Sequence, residues 1–130
     1  FDTNVPRYFA PHERHDFATY LLHPHRAHDY LVIDHNGHLV ACGGLALDNE
    51  HTAAFCWGMV ERGRHRQGLG RALAVARLHQ AAADPSIRHI TLSTSQHTQG
   101  FYAGLGFQVV RVVADGHGAG IDAVEMERVL

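Results

Sequence analysis

Lysine is missing from all 130 residues, so the eleven basic side chains are arginines. A nucleotide-triphosphate loop needs Gly-Lys-Ser/Thr, and that chemistry is therefore excluded. Only two cysteines occur, Cys42 and Cys56. They form no metal-type spacing and fall in apolar runs that read as buried strands, so reduced core thiols in a cytoplasmic protein are expected. No apolar run approaches the ~18–20 residues that span a bilayer, so no membrane partner is expected. Charge of neither sign dominates: the net charge is -2 with neutral histidine, which argues against a nucleic-acid binder. No signal peptide is visible, although the chain starts at Phe1 rather than methionine.

What is present is a chain of 14.4 kDa, 45% apolar and 18% charged, the composition of one soluble globular domain over residues 1–130. Thirteen histidines are spread along it. His12 and His15 are three apart on a probable helix, and His23, His25 and His28 crowd a proline-containing loop. His12-Glu13-Arg14-His15 is one residue short of the His-Glu-x-x-His zinc motif, so solvated histidines are the expectation and no metal site is assigned.

The most informative stretch is Arg64-His65-Arg66-Gln67-Gly68-Leu69-Gly70-Arg71-Ala72-Leu73. It follows an apolar run that reads as a strand and opens a segment that reads as a helix, Leu69 to Ala83. A glycine-rich turn before a helix leaves backbone N–H groups unpaired at the positive end of the helix dipole, a ready anion site. Gly68 and Gly70 let a phosphate approach the main chain. Four arginines, Arg62, Arg64, Arg66 and Arg71, add attraction. The stretch reads as a diphosphate cradle. It is not the dinucleotide fingerprint, whose third glycine would stand where Leu73 is.

Periodicity places an amphipathic helix at Pro11 to Leu22, with Phe17, Tyr20 and Leu21 on one side. Strands follow at Tyr30 to Asp34, Leu39 to Leu47 and Thr52 to Val60, the first two joined by an Asn36-Gly37 hairpin turn. Gly43-Gly44 suggests a bulge or a close backbone approach. Beyond the long helix come a strand at His89 to Thr94, a short helix between Thr98 and Leu105, and closing strands at Phe107 to Ala114 and Ala123 to Leu130. The glycine-rich Asp115 to Gly120 reads as their turn. The order suggests an α+β fold with a mixed sheet.

Gln67-Gly68-Leu69-Gly70 resembles the end of the acyl-coenzyme A loop of the GNAT N-acetyltransferase superfamily, Arg/Gln-x-x-Gly-x-Gly/Ala. His65 stands at the first position, flanked by Arg64 and Arg66. Phe101-Tyr102-Ala103-Gly104-Leu105-Gly106-Phe107 resembles the family's Phe-Tyr-x-x-x-Gly-Phe signature, one helix and one strand further on. The resemblance covers about Tyr30 to Leu130. It implies a mainly antiparallel sheet flanked by helices, whose N-terminal strand is not found in this chain. It also implies acetyl transfer from acetyl-coenzyme A to a primary amine of a small molecule, amino acid or peptide, in a protein that a homodimer would suit.

The family likeness assigns residues 65–71, that is His65, Arg66, Gln67, Gly68, Leu69, Gly70 and Arg71, to the cofactor. It gives the backbones of Met59 and Val60 to the pantetheine and thioester. Tyr102 is the candidate acid for the thiolate, and it also touches the cofactor. Ser95, seven residues earlier, is either a cofactor contact or a helix N-cap. Phe101, Leu105 and Phe107 read as core. For the general base Glu61 leads, with Glu50, His97 and bulk water as rivals. Two readings of other classes stand beside this one: a non-catalytic acyl-coenzyme A sensor, and a histidine-based metal binder.

Overall fold

The computed structural model describes residues 1–22 and 30–130. The loop histidines His23, His25 and His28 lie outside the described residues. A single turn of 3-10 helix at Asp2–Asn4 leads to helix α1 (Glu13–Leu21), then β1 (Tyr30–His35), β2 (His38–Asn49) and β3 (Thr52–Val60). Helix α2 (Leu69–Ala82) crosses to β4 (His89–Thr94), and a short α3 (Gln99–Ala103) precedes the closing strands β5 (Gln108–Gly118) and β6 (Ile121–Val129). The six strands lie in the order β1-β2-β3-β4-β6-β5, antiparallel throughout except between β3 and β4.

The turns obey their sequence. Asn36 and Gly37 both adopt positive φ, 53° and 84°, so His35 pairs directly with His38 in a tight hairpin. Helix α2 buries Leu73, Ala74, Arg77, Leu78 and Ala81, a single stripe at helical spacing. That stripe packs on Leu45, Phe55, Ile90, Leu92, Phe107 and Met126 to form the core. Cys56 alternates with Phe55 and faces the other side, where its sulfur lies 3.3 Å from the Tyr20 hydroxyl of α1. One face of the sheet is thus covered by α2, and the other by α1 and the segment leading to it.

Several expectations need correcting. Helix α1 begins at Glu13 rather than Pro11, and Leu21 is exposed while Phe17 and Tyr20 join an aromatic cluster on Trp57. Strand β5 runs four residues further than expected, to Gly118, and β6 starts at Ile121. Glycines 116 and 118 are therefore strand residues. A Cβ on Gly116 would come within 2.5 Å of the Ala123 Cβ, so glycine there serves close strand packing rather than a turn. Phe101 is 41% exposed rather than core, whereas Phe107 is buried and Leu105 packs partly against the core. Both cysteines are free thiols and half-buried. Among the described residues no helix is long and apolar enough to cross a membrane, and no group of three metal-binding side chains forms.

Candidate active site

The parallel pair β3/β4 stays joined for only three residues: Thr52, Ala53 and Ala54 pair with His89, Ile90 and Thr91. Beyond that point the two strands part. Two features drive the separation. The register of β2 against β3 shifts between Cys42–Met59 and Gly44–Cys56, so Trp57 and Gly58 together oppose Gly43. Trp57 takes a φ of 45°, and its carbonyl accepts a hydrogen bond from the Tyr30 hydroxyl at 2.8 Å, which pins the bulge.

The glycines at the bulge are required by what lies against them. A Cβ on Gly43 would stand 2.9 Å from the Arg77 guanidinium carbon, and one on Gly58 would stand 3.1 Å from Arg77 Nη2. Arg77 is 2% exposed, with its guanidinium 4.1 Å above the Phe55 ring. It donates one hydrogen bond, to Gly44 O at 3.3 Å, and its Nε finds no partner among the described residues. On the opposite face burial pushes the Cys56 thiol and, strongly, the Tyr30 phenol above their ordinary pKa values. The Tyr20 contact and Arg77 pull Cys56 partly back.

The gap between the strands opens into a cavity of about 730 Å³, lined from Phe55 to Val60 on one side and from Leu92 to Ser95 on the other. The start of α2 closes its upper end. Gly68 (φ 79°) caps the helix in a left-handed conformation, two residues after Arg66 (φ 66°) does the same. Such alternation turns successive N–H groups toward one point. Ala72 makes the first helical bond, to Gly68 O at 3.0 Å, so the N–H groups of Leu69, Gly70 and Arg71 precede the ladder. A Cβ on Gly68 would meet nothing within 4 Å. Arg64, Arg66 and Arg71 line the same cavity. The result is an anion cradle at the mouth of an apolar, splayed cleft.

The antiparallel ladder fixes which backbone groups face that cleft. Glu61 N–H donates to Val40 O at 2.8 Å, which makes that a hydrogen-bonded pair and leaves the adjacent pair, Val60 with Ala41, unbonded. Val60 therefore turns its N–H and carbonyl away from β2. Its carbonyl accepts from Asn4 Nδ2 at 2.9 Å and from His65 Nε2 at 2.8 Å. By the same alternation Met59 pairs its backbone with Cys42, and Met59 also borders the cavity.

The cleft's relatives are then visible. A model of the acetyltransferase (GNAT) domain matches residues 8–130. The chain belongs to the GNAT acetyltransferase family. It is an acyltransferase whose donor is acetyl-coenzyme A. The match reaches back to Tyr8, before the Tyr30 at which the sequence resemblance begins. Among solved structures it is similar to Ard1 from Thermoplasma volcanium (17% identity, TM-score 0.76, 99% of this chain and 85% of that one). A Desulfovibrio desulfuricans protein described as a GNAT-family acetyltransferase aligns at 25% identity and TM-score 0.72, over 95% of this chain and 85% of that one. N-acetylglutamate synthase from Neisseria gonorrhoeae, solved with coenzyme A and N-acetyl-glutamate, aligns at 15% identity and TM-score 0.71, over 99% of this chain and 30% of that one.

Within this GNAT cleft the sequence candidates fall into two groups. His65, Arg66, Gly68, Gly70, Arg71, Met59, Val60, Ser95 and Tyr102 all line the cavity. Gln67 and Leu69, which alternate with these residues along the chain, are not among those lining it. Tyr102 is half-buried, edge-on to Phe101 at 5.0 Å and to Phe107 at 5.8 Å between ring centres. Ser95 is buried, and its hydroxyl accepts from His97 N–H at 3.2 Å, so it organises the turn into α3 while bordering the cleft. Glu61 is placed differently. Its carboxylate meets His38 Nε2 at 3.0 Å and Arg64 Nε at 3.7 Å, outside the cavity lining. Glu50 is exposed on the β2–β3 turn, whereas His97 does line the cavity. Asn4, Ser93, His117 and Glu13 also line the cavity, and no sequence pattern marks them because each comes from a different and distant segment.

Proposed function

We propose that this enzyme moves an acetyl group from acetyl-coenzyme A directly to a primary amine carried by a small molecule, an amino acid or a peptide end. The observation that carries the reading is the parting of β3 from β4 beneath an anion cradle at the start of α2. Acetyl-coenzyme A supplies an activated acetyl group as a thioester. Residues 66–71 hold its diphosphate through backbone N–H groups, and Arg64, Arg66 and Arg71 neutralise its charge. Val60 N–H, turned into the cleft, is the main-chain donor beside the pantetheine. The splayed strands admit that apolar arm in place of a ladder partner.

Tyr102 delivers a proton to the departing thiolate. A phenol, with a reference pKa of about 10, is the weaker acid beside a thiol at about 8.5, so placement rather than acidity makes this transfer work. The acceptor enters past Asn4, Tyr8 and Phe9, which border the same cavity with Trp57. Phe9 stacks on Trp57 with ring centres 6.2 Å apart, an aromatic wall that suits an uncharged body attached to the amine. The amino-acid product in the Neisseria structure supports an amino acid as one acceptor class.

The test is thiol release from acetyl-coenzyme A with a panel of amines, amino acids and short peptides. Release that depends on an amine, with the acetylated amine found by mass spectrometry, is the expected result. Coenzyme A binding with no release for any acceptor would replace this reading with that of a non-catalytic sensor.

A further inference from the structure

Three cavity-lining residues from three separate elements meet on the acceptor side of the cleft. Ser93 Oγ on β4 lies 2.9 Å from Nε2 of His117, near the end of β5. His117 Nδ1 in turn lies 3.6 Å from Oε1 of Glu13, the first residue of α1. The second distance is too long for a hydrogen bond but sets the carboxylate within electrostatic reach of that nitrogen. Glu13 is held in place from its other oxygen, which accepts Ala10 N–H at 2.8 Å, and its side chain is only 13% exposed. Gly118 (φ 138°) brings the strand end against the turn: a Cβ there would stand 2.8 Å from Ala10 Cβ and 3.5 Å from His12 Cε1. Among the described residues Glu13 is the charged side chain paired with His117, His12 lies beside the neighbouring Gly118, and uncharged Ser93 faces His117 from β4.

We propose that Ser93, His117 and Glu13 form the proton-accepting relay that neutralises the incoming ammonium; the proposal rests on the acetyl-transfer reading above. A carboxylate beside Nδ1 keeps the proton on that nitrogen, which leaves the Nε2 lone pair to accept from the Ser93 hydroxyl. The Ser93 oxygen keeps lone pairs free for an ammonium N–H. As that N–H bond breaks, its proton joins Ser93 Oγ while the serine's own proton passes to His117 Nε2. The imidazolium so formed faces the Glu13 carboxylate. The neutral nitrogen then attacks the thioester carbon, and the C–S bond breaks. The second nitrogen-bound proton replaces the one that Tyr102 gives to the thiolate, and the first leaves His117 for solvent. Ser93 forms no bond to the acetyl group. Glu61, tied to His38 and Arg64, has no part in the relay.

The experiment compares the parent with His117→Asn, Glu13→Gln and Ser93→Ala, using acetyl-coenzyme A and the best acceptor among benzylamine, putrescine and glycinamide. Each variant is expected to keep the thermal shift given by coenzyme A. At neutral pH His117→Asn should lower kcat/KM by about 100-fold, the low end for general base catalysis because water substitutes in part. The deficit should shrink as pH rises and the amine loses its proton in bulk solution, a convergence that a merely structural defect would not show. A second readout needs no turnover. In ¹⁵N spectra, with the His117 signals identified by their loss in His117→Asn, neutral His117 should carry its proton on Nδ1, and Glu13→Gln should move it to Nε2.

An Nε2–H tautomer in the parent would overturn the relay. So would a His117→Asn deficit that is constant with pH, or an acetyl group trapped on Ser93 by acid quench, which would make the serine a nucleophile. If the parent acetylates no amine, the acetyl-transfer reading fails on its own, and the tautomer still decides the pairing.

Discussion

Gly68→Val separates two consequences of one residue. Gly68 caps α2 at φ 79°, ψ 3°, a conformation that costs an L-residue about 1–2 kcal/mol. Nothing in the protein lies within 4 Å of a Cβ at that position, so no packing clash adds to the cost in the free enzyme. At about 4 °C per kcal/mol, the ligand-free Tm should fall by about 4–8 °C. The larger effect is on the ligand. With coenzyme A at 100 times its Kd the parent gains about 2.7 kcal/mol, an upward shift of about 10 °C. The valine methyls would project into the space that a phosphate needs over the N–H groups of Leu69 to Arg71. A 100-fold loss of affinity leaves about 0.4 kcal/mol, a shift of about 1–2 °C at the same coenzyme A concentration. Differential scanning fluorimetry with and without coenzyme A reads both quantities. A valine variant with a lowered ligand-free Tm but the parental coenzyme A shift would refute the cradle.

Tyr102→Phe should retain the coenzyme A thermal shift while kcat falls by about 100-fold or more, read from thiol release with a saturating amine; turnover within about twofold of the parent would make Tyr102 a packing residue. Arg77→Met should change stability by under about 1.5 kcal/mol, because a flexible apolar chain can fill the space beside Gly43 and Gly58 while relieving a buried cation that has no carboxylate partner among the described residues. Arg77→Ala, which leaves that space empty, should cost about 2–5 kcal/mol in urea melts, and equal losses for both variants would show that the charge itself matters. Raising the pH above about 9 should weaken the fold, since burial lifts the Cys56 and Tyr30 pKa values. Their stabilising contribution is complete below the unfolded pKa and is lost as pH climbs toward the folded one; Cys56→Ala should flatten that decline, and an unaltered slope would count against it.

What the sequence disclosed was local chemistry. The Asn36-Gly37 turn and the Gly68-Leu69-Gly70 helix start are each set by a few adjacent residues, and both appear where the pattern places them. The helix at α2 is legible as a segment, although the burial of Arg77 within its stripe is not. What stayed hidden depends on contacts between distant segments. Gly116 and Gly118 read as a turn, yet they are strand residues because Ala123 and Ala10 press against them. Phe101 reads as core from its neighbours, although it ends up bordering the start of α2, 3.6 Å from a Cβ built on Gly70. Glu61 follows the right strand, but His38 and Arg64 draw its carboxylate away from the cleft. His117 was the least legible, because its meaning rests on Ser93, 24 positions earlier, and on Glu13 at the other end of the chain. Among thirteen scattered histidines no pattern singles it out.

The central claim is that coenzyme A lies between the parted ends of β3 and β4 with its phosphates on the start of α2. Titrating coenzyme A into ¹⁵N-labelled protein and following the backbone amides tests it most directly. The account predicts large, saturable shifts for Gly68, Leu69, Gly70, Arg71 and Val60, with little change at Val109 to Val113 on the far edge of the sheet. Saturable shifts confined to residues outside the cleft, with the amides of Gly68 to Arg71 unmoved, would contradict it.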